Sequence, residues 1–277
     1  FRRVLFRSRE VALIEGPYGW GEFGAFVEYG PAEAAAWLAS GIEAAFAPSP
    51  QAVRDRIPIN ATVPAVEASR VPEVLARFPG ARTAKVKVAE PGQTLADDVA
   101  RVEAVRAVVP VVRVDANGGW DVDGALVMDR WLADRGVELV EQPLPQGHEH
   151  ELPALHRGSS LPIVADESVR TSADVAALAD RVDGVNLKLM KCGGLDDALR
   201  IIHTARAHGL SVMIGCMGES SLAIGAGAQL APFVDHLDLD SHLNLLDDPF
   251  DGPTFTDGVV RPSDRPGLGV RWTGADA

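Results

Sequence analysis

The sequence predicts an α/β fold: a parallel barrel of eight strands that lacks its last helix, preceded by a smaller region of short strands and one helix. Three observations predict it. From Ile57 onward, short β-branched runs alternate with Ala-rich amphipathic stretches, the sign of βαβ units and a parallel sheet. Eight such runs occur, as in a (β/α)8 barrel. Residues 57–245 fall slightly short of the about 200–250 residues of a complete barrel, which a missing final helix would explain. A doubly wound open sheet is the alternative. It would want a GxGxxG after an early strand, and none is present.

The elements are taken in chain order. Phe1–Arg9 carries Arg2, Arg3, Arg7 and Arg9 with no acid, but Glu10 and Glu15 interrupt the next stretch, so it reads as no export signal. Residues 11–30 read as short strands broken by glycine turns. Residues 31–46 (PAEAAAWLASGIEAAF) read as a helix with proline in its first turn. Pro48, Pro50 and Pro58 place a boundary near 48–57. The strand candidates are 57–63, 83–88, 111–117, 137–142, 162–168, 184–189, 211–216 and 236–240, with helices over 94–109, 121–135, 172–181 and 194–208. This divides the chain into a cap (1–56), a barrel (57–245) and a segment (246–277) that packs back on the cap.

Composition narrows the function. The chain has 277 residues, 47 % of them hydrophobic, and a formal net charge of −13. Such acidity argues against nucleic acid and against an anionic membrane surface. No apolar run reaches the about 18 residues of a membrane span. Two cysteines, Cys192 and Cys216, fit a reducing cytoplasm. Self-association into a homo-oligomer is left open.

The chemistry lies in where the charges fall. Each strand body is apolar and ends in charge, and barrel active sites lie at the C-terminal strand ends. Side chains alternate faces along a strand. Lys85 and Lys87 therefore share a face, as do Asp115 and Asn117, Asn186 and Lys188, and Asp238 and Asp240. Asp115, Glu141 and Asp166 end three consecutive units and so converge on one mouth. Three like charges together call for a cation, and all-oxygen ligands favour Mg²⁺. Lysines crowded there have a depressed pKa and can act as bases. Asp238 and Asp240 read either as a solvated strand end or as a pair for a substrate ammonium group. Glu219 lines the pocket just past a strand end. Cys192-Gly193-Gly194 reads as a phosphate cradle or as a tight turn. His203 and His208 read as structural.

Five motifs, Lys-x-Lys (85–87), Asp-x-Asn (115–117), Glu-Gln-Pro (141–143), Asp-Glu-Ser (166–168) and Lys-x-Met-Lys-x-Gly-Gly (188–194), resemble in order those of the enolase superfamily, within it the muconate lactonizing enzyme subgroup. The resemblance implies a (β/α)7β TIM-like barrel under a truncated N-terminal α+β capping domain that starts about one strand late. It implies Mg²⁺ on Asp115, Glu141 and Asp166, with Lys87 and Lys188 as acid/base groups and Lys85 beside a small-molecule carboxylate substrate. The proton alpha to that carboxylate leaves through a metal-stabilised enediolate. The mandelate racemase subgroup would want a histidine where Cys216 and Met217 stand.

Residues 10–119 resemble actinobacterial o-succinylbenzoate synthases of menaquinone biosynthesis. Residues 120–277 are similar to dipeptide epimerases, whose Asp-x-Asp pair binds the dipeptide ammonium and maps onto Asp238 and Asp240. Dipeptide epimerisation is the leading expectation because that pair has a task there. The synthase, a syn-dehydratase, is the alternative, supported by the Gly19–Tyr29 loop that should close over substrate. A Schiff-base aldolase using Lys188 and an inactive binding barrel are further rivals.

Overall fold

The computed structural model describes residues 10–48, 56–261, 265 and 267–274. Phe1–Arg9, residues 49–55 of the expected boundary, and Pro262 and Pro266 lie outside the described residues. β1 (Ala12–Gly16) and β2 (Gly19–Phe23) form an antiparallel hairpin. The helix expected over 31–46 forms as α1 (Pro31–Phe46), with proline in its first turn. Glycine lets it lie close on the hairpin. A Cβ on Gly21 would fall 1.8 Å from the Gly41 carbonyl oxygen. Trp37, on the buried side of α1, meets Phe26 and Tyr29 edge-on at 5.6 and 5.7 Å between ring centres. This anchors the loop between hairpin and helix.

The single strand expected over 57–63 is two. β3 (Ile57–Pro58) pairs with Val259–Arg261 of the tail, and β4 (Asn60–Val63) opens the barrel. The break sits where Pro58 lacks an N–H and the Ile59 N–H turns to the Gly258 carbonyl, 3.1 Å away. Next along the chain are α2 (Val71–Leu75), β5 (Thr83–Lys87), α3 (Leu95–Arg106), β6 (Val111–Asp115), α4 (Val122–Ala133), β7 (Val140–Glu141) and α5 (Leu152–Gly158). Then come β8 (Ile163–Ala165), α6 (Ser172–Leu178), β9 (Gly184–Leu187), α7 (Leu189–Cys192), α8 (Leu195–Ala207), β10 (Ser211–Gly215), α9 (Ser221–Gln229) and β11 (His236–Asp238).

β4 to β11 pair in parallel, each with the next in sequence. The seam between β11 and β4 is joined by side chains: the Thr62 N–H donates to Asp240 and the Asn60 amide to Asp238, both at 2.6 Å. Among the described residues no α-helix comes after β11, only a 3-10 turn over Ser241–Asn244. The architecture is therefore a TIM-like (β/α)7β near-barrel with a short N-terminal domain.

Several strands are shorter than expected. Residues 137–142 yield only the two residues of β7, because Gln142 takes a positive φ of 37° and leaves the ladder. α2, α5, α7 and α9 carry no sequence expectation. α9 is buried on every face, so it shows no amphipathic period. The apolar faces of the strands pack outward against the helices, through Val86, Val114, Val185 and Val212 among others. Polar side chains share the interior with Leu139, Val164 and Met213: Arg113 donates to Asn60 at 3.4 Å, and Asn186 to Glu141 at 2.8 Å.

The tail adds β12 (Phe250–Asp251), β13 (Thr254–Thr256), β14 (Val259–Arg261) and β15 (Arg271–Trp272). Trp272 stacks on Trp20 of β2 at 5.6 Å, and Phe250 meets the same ring edge-on at 6.1 Å. No helix among the described residues is long and apolar enough to cross a membrane.

Candidate active site

The strand register assembles the site. Lys87 lies opposite Asp115 and Asp115 opposite Glu141, at the ends of β5, β6 and β7. Glu141 lies opposite Val164, so Asp166 stands just past the end of β8. Lys188 comes directly after β9, and Asp238 ends β11. β5 and β9 are the second and sixth of eight strands, so Lys87 and Lys188 face each other across the mouth.

Asp115, Glu141 and Asp166 are at most 1 % exposed. Each is paired with lysine. Lys87 sits on Asp115. Lys85 reaches Glu141 at 3.0 Å, Asp115 at 3.5 Å and also Asp238. Lys188 and Lys191 both reach Asp166 at 2.6 Å. The three carboxylates thus converge on the mouth with each already paired to a lysine. Among the described residues no group of three His, Cys, Asp or Glu side chains stands ready to hold a metal. Ammonium groups act as the counter-charge on these acids instead.

The donor chemistry nevertheless fits Mg²⁺: three hard oxygen ligands, buried and adjacent on strand ends. Positive charge is also in short supply at Glu141. Burial and the neighbouring Asp115 push its carboxyl up to about 7, against the pull of Lys85. A divalent cation there would take over the neutralising role of the lysines.

In the absence of a metal ion, the buried lysines are held up by the acids they pair with. Burial lowers Lys188, but Asp166, Glu167 and Glu141 outweigh it and hold the ammonium well above its usual range. Lys85 is raised likewise, by Asp238, Glu141 and Asp115 against the effect of burial. Burial would raise Asp166, yet Lys188 and Lys191 hold it far below the usual carboxylate range.

On the substrate side, Asn117 takes a φ of 44° past β6; its N–H donates to Asp115 at 2.9 Å and its amide to Glu167 at 3.0 Å. Glu219 is buried after β10, its N–H donating to the Ser241 hydroxyl at 3.2 Å. Asp238 and Asp240 are both engaged at the barrel seam. Asp238 already holds Lys85 and Asn60. Asp240 takes the Thr62 N–H, and burial beside Asp238 pushes it up to about 7. Burial also pushes the Cys192 thiol up to about 12 and raises Cys216, so neither supplies a thiolate.

Three residues that the sequence reading named without assigning them a site role stand at the site. Lys191 also donates to the Asp166 carbonyl at 2.5 Å; its signal was a spacing of three from Lys188, which one helical turn brings together. Asn186 binds Glu141 from inside the barrel. Tyr29 brings the cap loop to the mouth. Burial and Glu33 push its phenol up to about 12, and it feels the charges of Lys188 and Asp166.

Known proteins share this geometry. Residues 70–277 match the family described as enolase C-terminal domain-like, and residues 1–45 the enolase N-terminal domain-like family. The chain is 52 % identical over 264 residues to the o-succinylbenzoate synthase of Mycolicibacterium smegmatis, covering 94 % of this chain and 79 % of that one. The solved dipeptide epimerase of Enterococcus faecalis superposes with a TM-score of 0.80 at 26 % identity, covering 94 % of this chain and 93 % of that one. A dipeptide epimerase from Methylococcus capsulatus, solved with Mg and the dipeptide L-Arg-D-Lys, gives 0.70 at 36 % identity, over 80 % of this chain and 65 % of that one. The synthase likeness runs through both halves of the chain.

Proposed function

The chain belongs to the enolase superfamily, and on that premise we propose that it is an o-succinylbenzoate synthase, removing an α-proton and a hydroxyl from a cyclohexadiene carboxylate to leave an aromatic ring. This prefers the alternative raised by the sequence to its leading expectation of dipeptide epimerisation. The observation that carries it is the state of Asp238 and Asp240. Asp238 is already paired with Lys85 and Asn60, and Asp240 with the Thr62 N–H, which supports a role for both at the barrel seam rather than as an open pair. The synthase substrate has no ammonium group to place. Extensive identity to curated synthases supports the same choice.

The residues divide the work by position. Asp115, Glu141 and Asp166 would hold Mg²⁺. When bound, the ion supplies positive charge against the negative charge that builds on the substrate carboxylate as its α-proton leaves. Lys188 is buried, with its ammonium on Asp166, and serves as fixed positive charge on one side of the mouth. Lys87, whose side chain is 12 % exposed on the opposite side, would take the α-proton as the neutral amine, once its ammonium is replaced by bound Mg²⁺ as the counter-charge on Asp115. It then returns that proton to the hydroxyl leaving on the same face, so one water departs and the lysine ends as it began. Lys85 holds Asp238 and Glu141 in place beside the substrate carboxylate. Tyr29 and the cap loop, packed with Met190 beside Lys188, would keep the mouth dry. The product joins menaquinone biosynthesis.

Purified chain with Mg²⁺ is expected to convert the cyclohexadiene carboxylate to o-succinylbenzoate, measured by the growth of the aromatic product. A chelator should stop the reaction and added Mg²⁺ restore it. Substrate that persists at every Mg²⁺ concentration would overturn the assignment.

A further inference from the structure

The Cys192-Gly193-Gly194 turn, read from sequence as a phosphate cradle or a tight turn, is filled by the cap. Gly193 and Gly194 both take positive φ, 109° and 122°, and lead into α8. α8 has no N-cap side chain of its own, which leaves its first N–H groups to be satisfied from elsewhere. Glu43 of α1 supplies the acceptor. One carboxylate oxygen receives the Leu195 N–H at 2.6 Å and the other the Asp196 N–H at 3.1 Å. A Cβ on Gly194 would fall 1.6 Å from the Glu43 carboxylate, so any side chain there would expel it. The cap carboxylate thus acts as an N-cap across a domain boundary, at the positive end of a barrel helix.

The segment it holds carries site residues. Lys188 ends the β9 side, α7 is a single turn packed on α1, and Lys191 projects from that turn. Both lysines meet on Asp166. One end of the segment is tied to the sheet through β9, and the other runs through the glycine turn to the α8 N-terminus that Glu43 caps. We infer that Glu43 is a positioning residue: its carboxylate fixes the Lys188–Gly194 turn and thereby sets Lys188 and Lys191 on Asp166.

Two other cap carboxylates provide contrast. Glu22 accepts from Ser220, and Glu33 pairs with Arg170 at 3.1 Å. Glu33 docks the cap through Arg170 between β8 and α6 rather than through the α8 N-terminus, so it serves as a control for general cap docking.

The kinetic part of the test rests on the synthase reading; the exchange part does not. Glu43→Gln leaves one acceptor and sets an amide N–H against the second donor. In that variant the peptide spanning 188–196 should exchange its amide hydrogens faster, while α1 and the remaining barrel strands keep their protection. Turnover should fall about 10–100-fold with KM within about twofold, because a small misplacement suffices. Glu33→Gln should change neither. Unchanged exchange over 188–196 in Glu43→Gln would overturn the inference. So would equal loss of protection throughout α1, or an equal kinetic loss in Glu33→Gln, since each would mean general cap loosening. Absence of turnover in the unsubstituted chain would count against the synthase reading instead, and exchange alone would then decide the role of Glu43.

Discussion

Lys87→Ala is expected to lower turnover of the cyclohexadiene carboxylate by about 10²–10⁴-fold, the range of a positioned acid/base group. The fold should survive. Asp115, which Lys87 pairs, keeps Lys85 at 3.5 Å and the Asn117 N–H at 2.9 Å. It therefore does not become a bare buried charge. Initial rates and a thermal melt of the same preparation separate the two effects. A collapse of rate with a nearly unchanged melt assigns Lys87 to the chemistry. A variant that turns over at the unsubstituted rate would remove Lys87 from the mechanism.

The second large effect is on stability. Lys85→Met keeps the length of the side chain and removes its charge. Lys85 is buried among Glu141, Asp115 and Asp238, and it is the hub of their pairing. Without it, several buried carboxylates lose a counter-charge together. Breaking such a buried pair costs about 3–5 kcal/mol. Denaturant unfolding without Mg²⁺ should show that loss. Adding Asp238→Asn removes one of the stranded charges and should recover part of it, a coupling that a double-mutant cycle measures. A loss below about 1 kcal/mol would mean the carboxylates find other partners.

Most of the barrel was legible because alternation of apolar faces with charged strand ends is local information. The mouth was legible for the same reason: Lys87, Asp115, Glu141, Asp166 and Lys188 each sit at or just past a strand end. What stayed hidden depended on contacts between distant positions. Asn60 and Thr62 meet Asp238 and Asp240 across the barrel seam, separated by 176–178 residues, and no periodicity reports such a pairing. That seam ties Asp238 to Asn60 and to Lys85. The contact of Lys191 with Asp166 was hidden because the strand expected over 184–189 stops at Leu187 and becomes a helical turn. The glycine turn after it was visible, but its occupant lies on α1, 152 residues earlier than Leu195.

The most direct test of the central claim offers the chain, with Mg²⁺ in D₂O, the cyclohexadiene carboxylate and L-Ala-L-Glu in parallel. The synthase account expects o-succinylbenzoate to form while the glutamate α-carbon gains no deuterium. Deuterium at that carbon with inversion, beside an intact cyclohexadiene carboxylate, would contradict it.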